Sequence, residues 1–260
     1  MNVEKTFWEH LEDLRWSIIR MVVALLLLTI LIFLFKDFVF TKIILAPATG
    51  DFVTYKELCR LGNLLNINRL CFDTFALDII NYNIAGQLTA HLSMSFYLAV
   101  VLTFPYMVAE LWLFVLPALY KHEKRIILKM FVSLVLLFYT GILISYFVIF
   151  PFTIGFLSGY NVNEGVENMI SLSSYLSTFN SVIFLTGLAF ELPVAVYILG
   201  KFGILDSGVM KKHRKAAFVI CMTLAALITP TTDVFTMMLV TLPLILLYEI
   251  SIVVLKNVNN

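Results

Sequence analysis

Three carboxylates, Glu9, Glu12 and Asp13, crowd the stretch TFWEHLEDLRW at residues 6–16, where Arg15 is the one base. A further acid, Glu123, stands among Lys121, Lys124, Arg125 and Lys129 in YKHEKRIILK, residues 120–129. Carboxylates take guanidinium groups through forked, charge-assisted hydrogen bonds, a geometry that an ammonium does not reproduce. Two such acids on one side of a molecule suit a ligand that carries two cations. A helix dipole accounts for Glu9 in a first turn, yet its effect fades within that turn and explains Asp13 poorly. Two other acids are out of place in a different way: Glu110 in FPYMVAELWLF (104–114) and Glu191 in LTGLAFELPVAV (185–196) interrupt apolar stretches. An ionised group at mid-membrane depth costs roughly 2.5–3.5 kcal/mol, so each is a candidate for function, with a protonated or hydrogen-bonded strut between helices as the plainer reading. Pro193, two residues after Glu191, is expected to kink its helix and turn the acid towards a cavity or a neighbouring helix. The four histidines are scattered and the net charge is +1, so neither a histidine-built metal centre nor nucleic-acid binding is expected, and no cofactor.

The elements that must position these groups are membrane helices. Apolar and aromatic residues make up 61% of the 260, against roughly half in soluble domains. The expected fold class is an all-α integral membrane protein. It forms a single domain over 1–260 with six spans near 16–38, 94–117, 126–150, 178–200, 216–229 and 234–255, and a long extracytoplasmic loop over 39–90. The first apolar run is too long, and its leading segment too acidic, for a cleaved signal peptide. Bases gather after the second span and again after the fourth, at Lys201, Lys211, Lys212, Arg214 and Lys215, while 130–200 and 216–255 hold no Lys or Arg. The positive-inside rule places both connections and both termini in the cytoplasm; Lys42, Lys56, Arg60 and Arg69 weigh less because their loop is long.

Several local features follow. The fifth span offers about 13 apolar residues, or ~20 Å, against a hydrocarbon core of roughly 30 Å. Glu249 interrupts the sixth after about 15 residues by the same spacing, so both are expected to be short. TPTTD (229–233) joins them as a hairpin, with Pro230 and Asp233 suited to a turn and a new helix start. Thr6 and Glu9 form a capping box, so a helix is expected from near Phe7. Its apolar face carries Phe7, Leu11, Leu14 and Ile18 and its other side Glu9, Glu12, Asp13 and Trp16, which reads as an amphipathic segment lying on the surface before the chain enters the membrane. Cys59 and Cys71 share the first loop, either as a disulfide or as two separate thiols, and Cys221 is read as packing.

Taken in order, HLEDLR (10–15), APA (46–48), FVLPALYKHEKR (114–125), SYFVIFPFTIGFL (145–157), FELPV (190–194) and ITPTTDVFT (228–236) resemble the TatC family of twin-arginine protein translocase subunits. The resemblance runs from about residue 5 to 255, apart from the long first loop. It implies a signal-peptide receptor of the bacterial cytoplasmic (inner) membrane, the core of a Sec-independent system that exports folded proteins. The partners it implies are single-helix subunits of the TatA and TatB type, twin-arginine signal peptides, membrane lipid and further copies of the chain. Carried over by position, the signal-binding residues are Asp13 and Glu123, with Glu12 and Arg15 beside the first. Pro47, Phe114, Tyr146, Glu191 and Asp233 match positions tied to receptor function or partner contact. Three departures stand out: Asp13 replaces the usual Glu, Glu110 stands where a neutral polar residue is common, and Met237 stands where a Gln is common. Two rival classes remain for comparison. One is a proton-coupled small-molecule transporter using the intramembrane glutamates. The other is an intramembrane protease built on the serine of GFLSG (155–159), for which no later span offers a histidine base; catalysis is therefore not expected.

Overall fold

The computed structural model describes residues 7–65, 77–115, 124–160, 163, 168–229 and 233–259. In chain order these form α1 (Phe7–Leu34), a short α2 (Lys36–Val39), a π-helical turn (Phe40–Ile44), a 3-10 turn (Ala46–Ala48), α3 (Val53–Leu65) and β1 (Ile79–Ile80). Then come α4 (Gly86–Val115), α5 (Lys124–Ile144), a second π-helical turn (Ser145–Ile149), α6 (Phe150–Gly159), β2 (Ile170–Ser171), α7 (Leu172–Ala189) and α8 (Leu192–Lys201). The chain closes with α9 (Ser207–Lys212), α10 (Arg214–Ile228) and α11 (Val234–Asn259). Among the described residues five runs are long and apolar enough to cross a membrane: Trp8–Leu34, Gly86–Phe114, Met130–Gly159, Leu172–Lys201 and Val234–Lys256.

The helix expected from near Phe7 begins there, and α1 runs unbroken from Phe7 to Leu34, since residues 7–34 contain no Gly or Pro to end it. Other elements differ from the sequence reading. The sixth segment is not short, since α11 runs for 26 residues, through Glu249 to Asn259. That acid does not break it because Arg214 Nη2 donates to Glu249 Oε2 at 2.7 Å, pairing the charge at the helix surface. The fifth, α10, is indeed short at 15 residues. The loop over 39–90 is largely structured, and Ile79–Ile80 pairs in parallel with Ile170–Ser171, a two-stranded element that an all-helical reading leaves out.

Contacts divide the chain into two compact units, Met1–Lys36 with His91–Leu136 and Asp37–Ala90 with Leu137–Asn260. In the first, α1 meets α4 along a narrow seam in which Ser17 and Met21 are buried, while Val22, Val23, Leu26, Leu27, Ile30 and Leu31 stay exposed as a lipid-facing surface. In the second, Phe138, Phe150, Phe179, Ile149, Val182, Val240, Leu244 and Leu255 are wholly buried. Two prolines shape this unit. Pro151 offers no amide to the carbonyl four residues earlier, and that Phe147 carbonyl accepts the Thr54 hydroxyl instead. Pro193 acts likewise on Ala189, where α7 ends; Phe190 and Glu191 form the break before α8.

Candidate functional site

The α1–α4 seam builds one end of the candidate site. His10, Asp13, Ser17 and Arg20 recur at spacings of three, four and three residues, which places them along one side of α1. Tyr106, Glu110 and Phe114 recur every fourth residue along α4. His10 stacks on Phe114 with ring centroids 4.3 Å apart and planes 19° from parallel, which fixes the start of α1 against the end of α4. Arg20 forks onto Glu110, with Nε donating to Oε1 at 3.0 Å and Nη2 to Oε2 at 2.8 Å. Tyr106 donates its hydroxyl to the same Oε1 at 2.8 Å, and Arg20 Nη2 also donates to Ser17 Oγ at 3.1 Å. The Glu110 side chain is 7% exposed and that of Arg20 52%, so the acid is covered and its partner reaches in from the surface. Of the expected signal-binding residues, Asp13 is half-buried on the seam side and Glu12 is exposed on another side of the helix. Arg15 is also exposed, with its guanidinium 5.7 Å from the Trp16 ring centroid. Glu123 lies outside the described residues, nine positions beyond Phe114.

A second constellation sits in the other unit, around the APA turn. Three tyrosine hydroxyls hold backbone carbonyls there. Tyr146 donates to Ile43 at 2.8 Å and Tyr175 to Ile44 at 2.6 Å, while Tyr55 lies 3.1 Å from the Pro47 carbonyl and 3.2 Å from that of Pro151. Ile43 and Ile44 belong to the first π-helical turn and Pro47 to the 3-10 turn, where carbonyls lack the regular α-helical pairing, and these phenols satisfy them. Burial pushes the Tyr55 phenol far above its ordinary pKa, so it stays a donor. Phe52, Tyr146, Phe150, Tyr175 and Phe179 interlock edge to face at 5.0–6.2 Å. Pro47 is buried at the centre of this arrangement. Glu191 stands apart, at the α7–α8 break; both carboxylate oxygens are buried without a hydrogen-bond partner of ordinary geometry, and the polar group that bears on them is the Phe138 backbone.

A family model described as "TatC: Sec-independent protein translocase protein (TatC)" matches residues 9–243. The chain belongs to the TatC family. A Sec-independent protein translocase protein TatC of Blattabacterium sp. subsp. Periplaneta americana (strain BPLAN) is 35% identical over 251 residues, covering 96% of this chain and 94% of the relative. One from Carboxydothermus hydrogenoformans is 31% identical over 254 residues, covering 98% and 94%. A crystal structure of the twin arginine translocase receptor TatC superposes with a TM-score of 0.73 at 28% identity, covering 96% of this chain and all of that one.

The TatC match and the helices together make this a multi-pass membrane protein of a translocase family. The transporter alternative finds no support, since Glu110 is tied into an ion pair and the matched relatives are translocase proteins. Ser158, the serine of the protease alternative, donates to the Ile154 carbonyl of its own helix at 2.7 Å. Asp233 caps α11, its Oδ1 accepting from the Thr236 amide at 2.7 Å. Cys59 takes part in a disulfide, Cys221 is free and buried, and Cys71 lies outside the described residues. Sequence reasoning passed over Arg20, although a base inside the expected 16–38 span is itself a signal. It also passed over Tyr55 and Tyr175, for which hydrophobic patterning carries none.

Proposed function

We propose that this chain is the signal-peptide receptor and core subunit of a Sec-independent translocase in a bacterial cytoplasmic membrane, with the α1–α4 end as its recognition face. The observation that carries this reading is the His10–Phe114 stack, because it sets the Asp13-bearing turn beside the end of α4, from which the chain continues to Glu123. Asp13 and Glu123 then offer two carboxylates to two neighbouring guanidinium groups. Recognition belongs at the surface, since carrying two arginines into lipid costs roughly 5–7 kcal/mol. Exposed pairs contribute only about 0–1 kcal/mol each, so the apolar segment of the signal must pack on the helices as well. Six spans with both termini cytoplasmic, α10 being the short fifth, agree with the distribution of Lys and Arg.

Six helices ringed at ~10 Å diameter leave a lumen of about 10 Å, whereas a folded 100-residue cargo has a radius of gyration near 13 Å. The chain therefore acts as a platform. Single-helix subunits of the TatA and TatB type dock beside Glu191 and the short α10, where an unsatisfied carboxyl gives a partner helix a hydrogen-bonding reward. Photocrosslinking of a twin-arginine signal peptide to the protein in native membranes tests the recognition face. Labelling should fall at least tenfold in the Asp13→Ala, Glu123→Ala double variant and stay within about twofold in Glu12→Gln, the losses of an anchored pair and of a solvated charge. Undiminished labelling of the double variant overturns the assignment.

A further inference from the structure

The second unit holds a groove for which signal recognition has no use. Its volume is about 410 Å³, within the roughly 300–1,000 Å³ of small-ligand sites, and its lining includes Leu58 of α3, Phe152, Gly155, Phe156 and Gly159 of α6, and Phe235 of α11. Phe156 stacks on Phe235 with ring centroids 4.3 Å apart, which fixes one wall. Gly159 leaves open space where a Cβ would stand, and its backbone lies outside the left-handed region, so no turn geometry demands a glycine there. The lining is almost wholly apolar, and the Tyr55 hydroxyl beside it already lies against the Pro47 and Pro151 carbonyls, so water finds few partners. Two membrane-crossing runs meet at this point, Met130–Gly159 ending and Val234–Lys256 beginning. The groove therefore opens at the membrane surface, where Tyr160, 65% exposed, supplies an interfacial aromatic. The amphipathic α3 covers it, with Tyr55 and Leu58 facing the groove and Lys56, Glu57 and Arg60 exposed on its other side.

We propose that this groove holds one acyl chain of a membrane phospholipid, which packs α3 against α6 and α11. Volume selects the occupant. A helix about 10 Å across would use up 410 Å³ in roughly one turn, too little to seat a spanning partner, whereas an acyl chain is slim enough to lie along the groove. The bilayer that surrounds the spans supplies such chains. The outer side of α3 sets no charge preference, because Lys56 pairs with Asp51 at 3.0 Å and Arg60 pairs with Glu57. Recognition is therefore of the chain, and phospholipids whose headgroups differ in charge serve alike.

The test uses the full chain, stripped of lipid by prolonged detergent exchange and then offered dioleoyl phosphatidylglycerol or dioleoyl phosphatidylcholine. Bound lipid is counted by native mass spectrometry, and the thermal unfolding midpoint is read in parallel. Wild type should retain the two lipids to within about twofold of each other, since exposed, paired charges contribute little, and both should raise the midpoint. Gly159→Leu, whose side chain enters the open space, should retain about fivefold less of either lipid, the factor for one or two methylenes taken out of contact. Its midpoint should also respond less to added lipid. Leu27→Phe, on the lipid-facing side of α1, should retain lipid like wild type. Retention by Gly159→Leu equal to that of wild type overturns the proposal, as does an equal loss in Leu27→Phe, which would mark a general lipid coat. Binding of phosphatidylglycerol alone would make headgroup charge the determinant and overturns it as well. If Gly159→Leu does not accumulate, Phe235→Trp, which narrows the groove from α11, is judged by the same outcomes.

Discussion

Single side chains do their work here by satisfying groups that the backbone leaves open. Tyr55, Tyr146 and Tyr175 each bring one hydroxyl to carbonyls at the π-helical and 3-10 turns around Pro47. A phenylalanine in place of Tyr55 keeps the ring but leaves the Pro47 and Pro151 carbonyls without that donor. Tyr55→Phe is therefore expected to lower stability by about 1–2 kcal/mol, read as an earlier midpoint in thermal unfolding of the detergent-purified protein, with little loss of peptide binding because the residue lies in the other unit from Asp13. The tyrosines were not legible in the sequence, since a phenol that reaches a distant carbonyl leaves no periodic trace. Asp13, Phe114 and Glu191 were legible, because a misplaced acid or a motif position shows in one dimension. Arg20 was the intermediate case, visible as a charge within a span but not as the partner of a residue 90 positions away.

Helices here end, bend or pass close by rules that composition only partly exposes. The break at Glu191 follows from Pro193 and was foreseen, as was the start of α1 near Phe7; the full length of α11 was not, because a charge was read as an end when Arg214 in fact neutralises Glu249. The two π-helical turns have no sequence signature beyond the prolines near them. Close approach depends on glycine at one crossing in particular: a Cβ on Gly141 of α5 would stand 2.8 Å from Cγ of Phe190, at the bend between α7 and α8. Gly141→Val should thus force the bend away and cost about 1–3 kcal/mol, seen as lower accumulation in membranes and an earlier unfolding midpoint. Gly159 has open space where its Cβ would go, so Gly159→Ala serves as the control and should behave like wild type.

For the molecule as a whole, the proposed function requires that Asp13 and Glu123 face the same compartment and lie within one peptide's reach. The basic connections after the second and fourth spans argue for that, and the stack of His10 on Phe114 brings the relevant helix ends together. In a variant lacking native cysteines, Asp13→Cys and Glu123→Cys should both label from the cytoplasmic side only, and a bis-maleimide of about 10 Å, roughly the span of three residues, should bridge them. Labelling of the two positions from opposite sides would dismantle the recognition face and the six-span topology together.

The most direct measurement of the central claim compares the affinity of a twin-arginine signal peptide with that of its twin-lysine counterpart, in wild type and in Asp13→Asn, Glu123→Gln. Forked carboxylate pairing prefers guanidinium, so wild type should favour the arginine peptide by about tenfold or more, the equivalent of ~1.4 kcal/mol, and the preference should fall to near unity in the double variant. A preference for arginine that survives the loss of both acids would show that Asp13 and Glu123 are not what reads the signal.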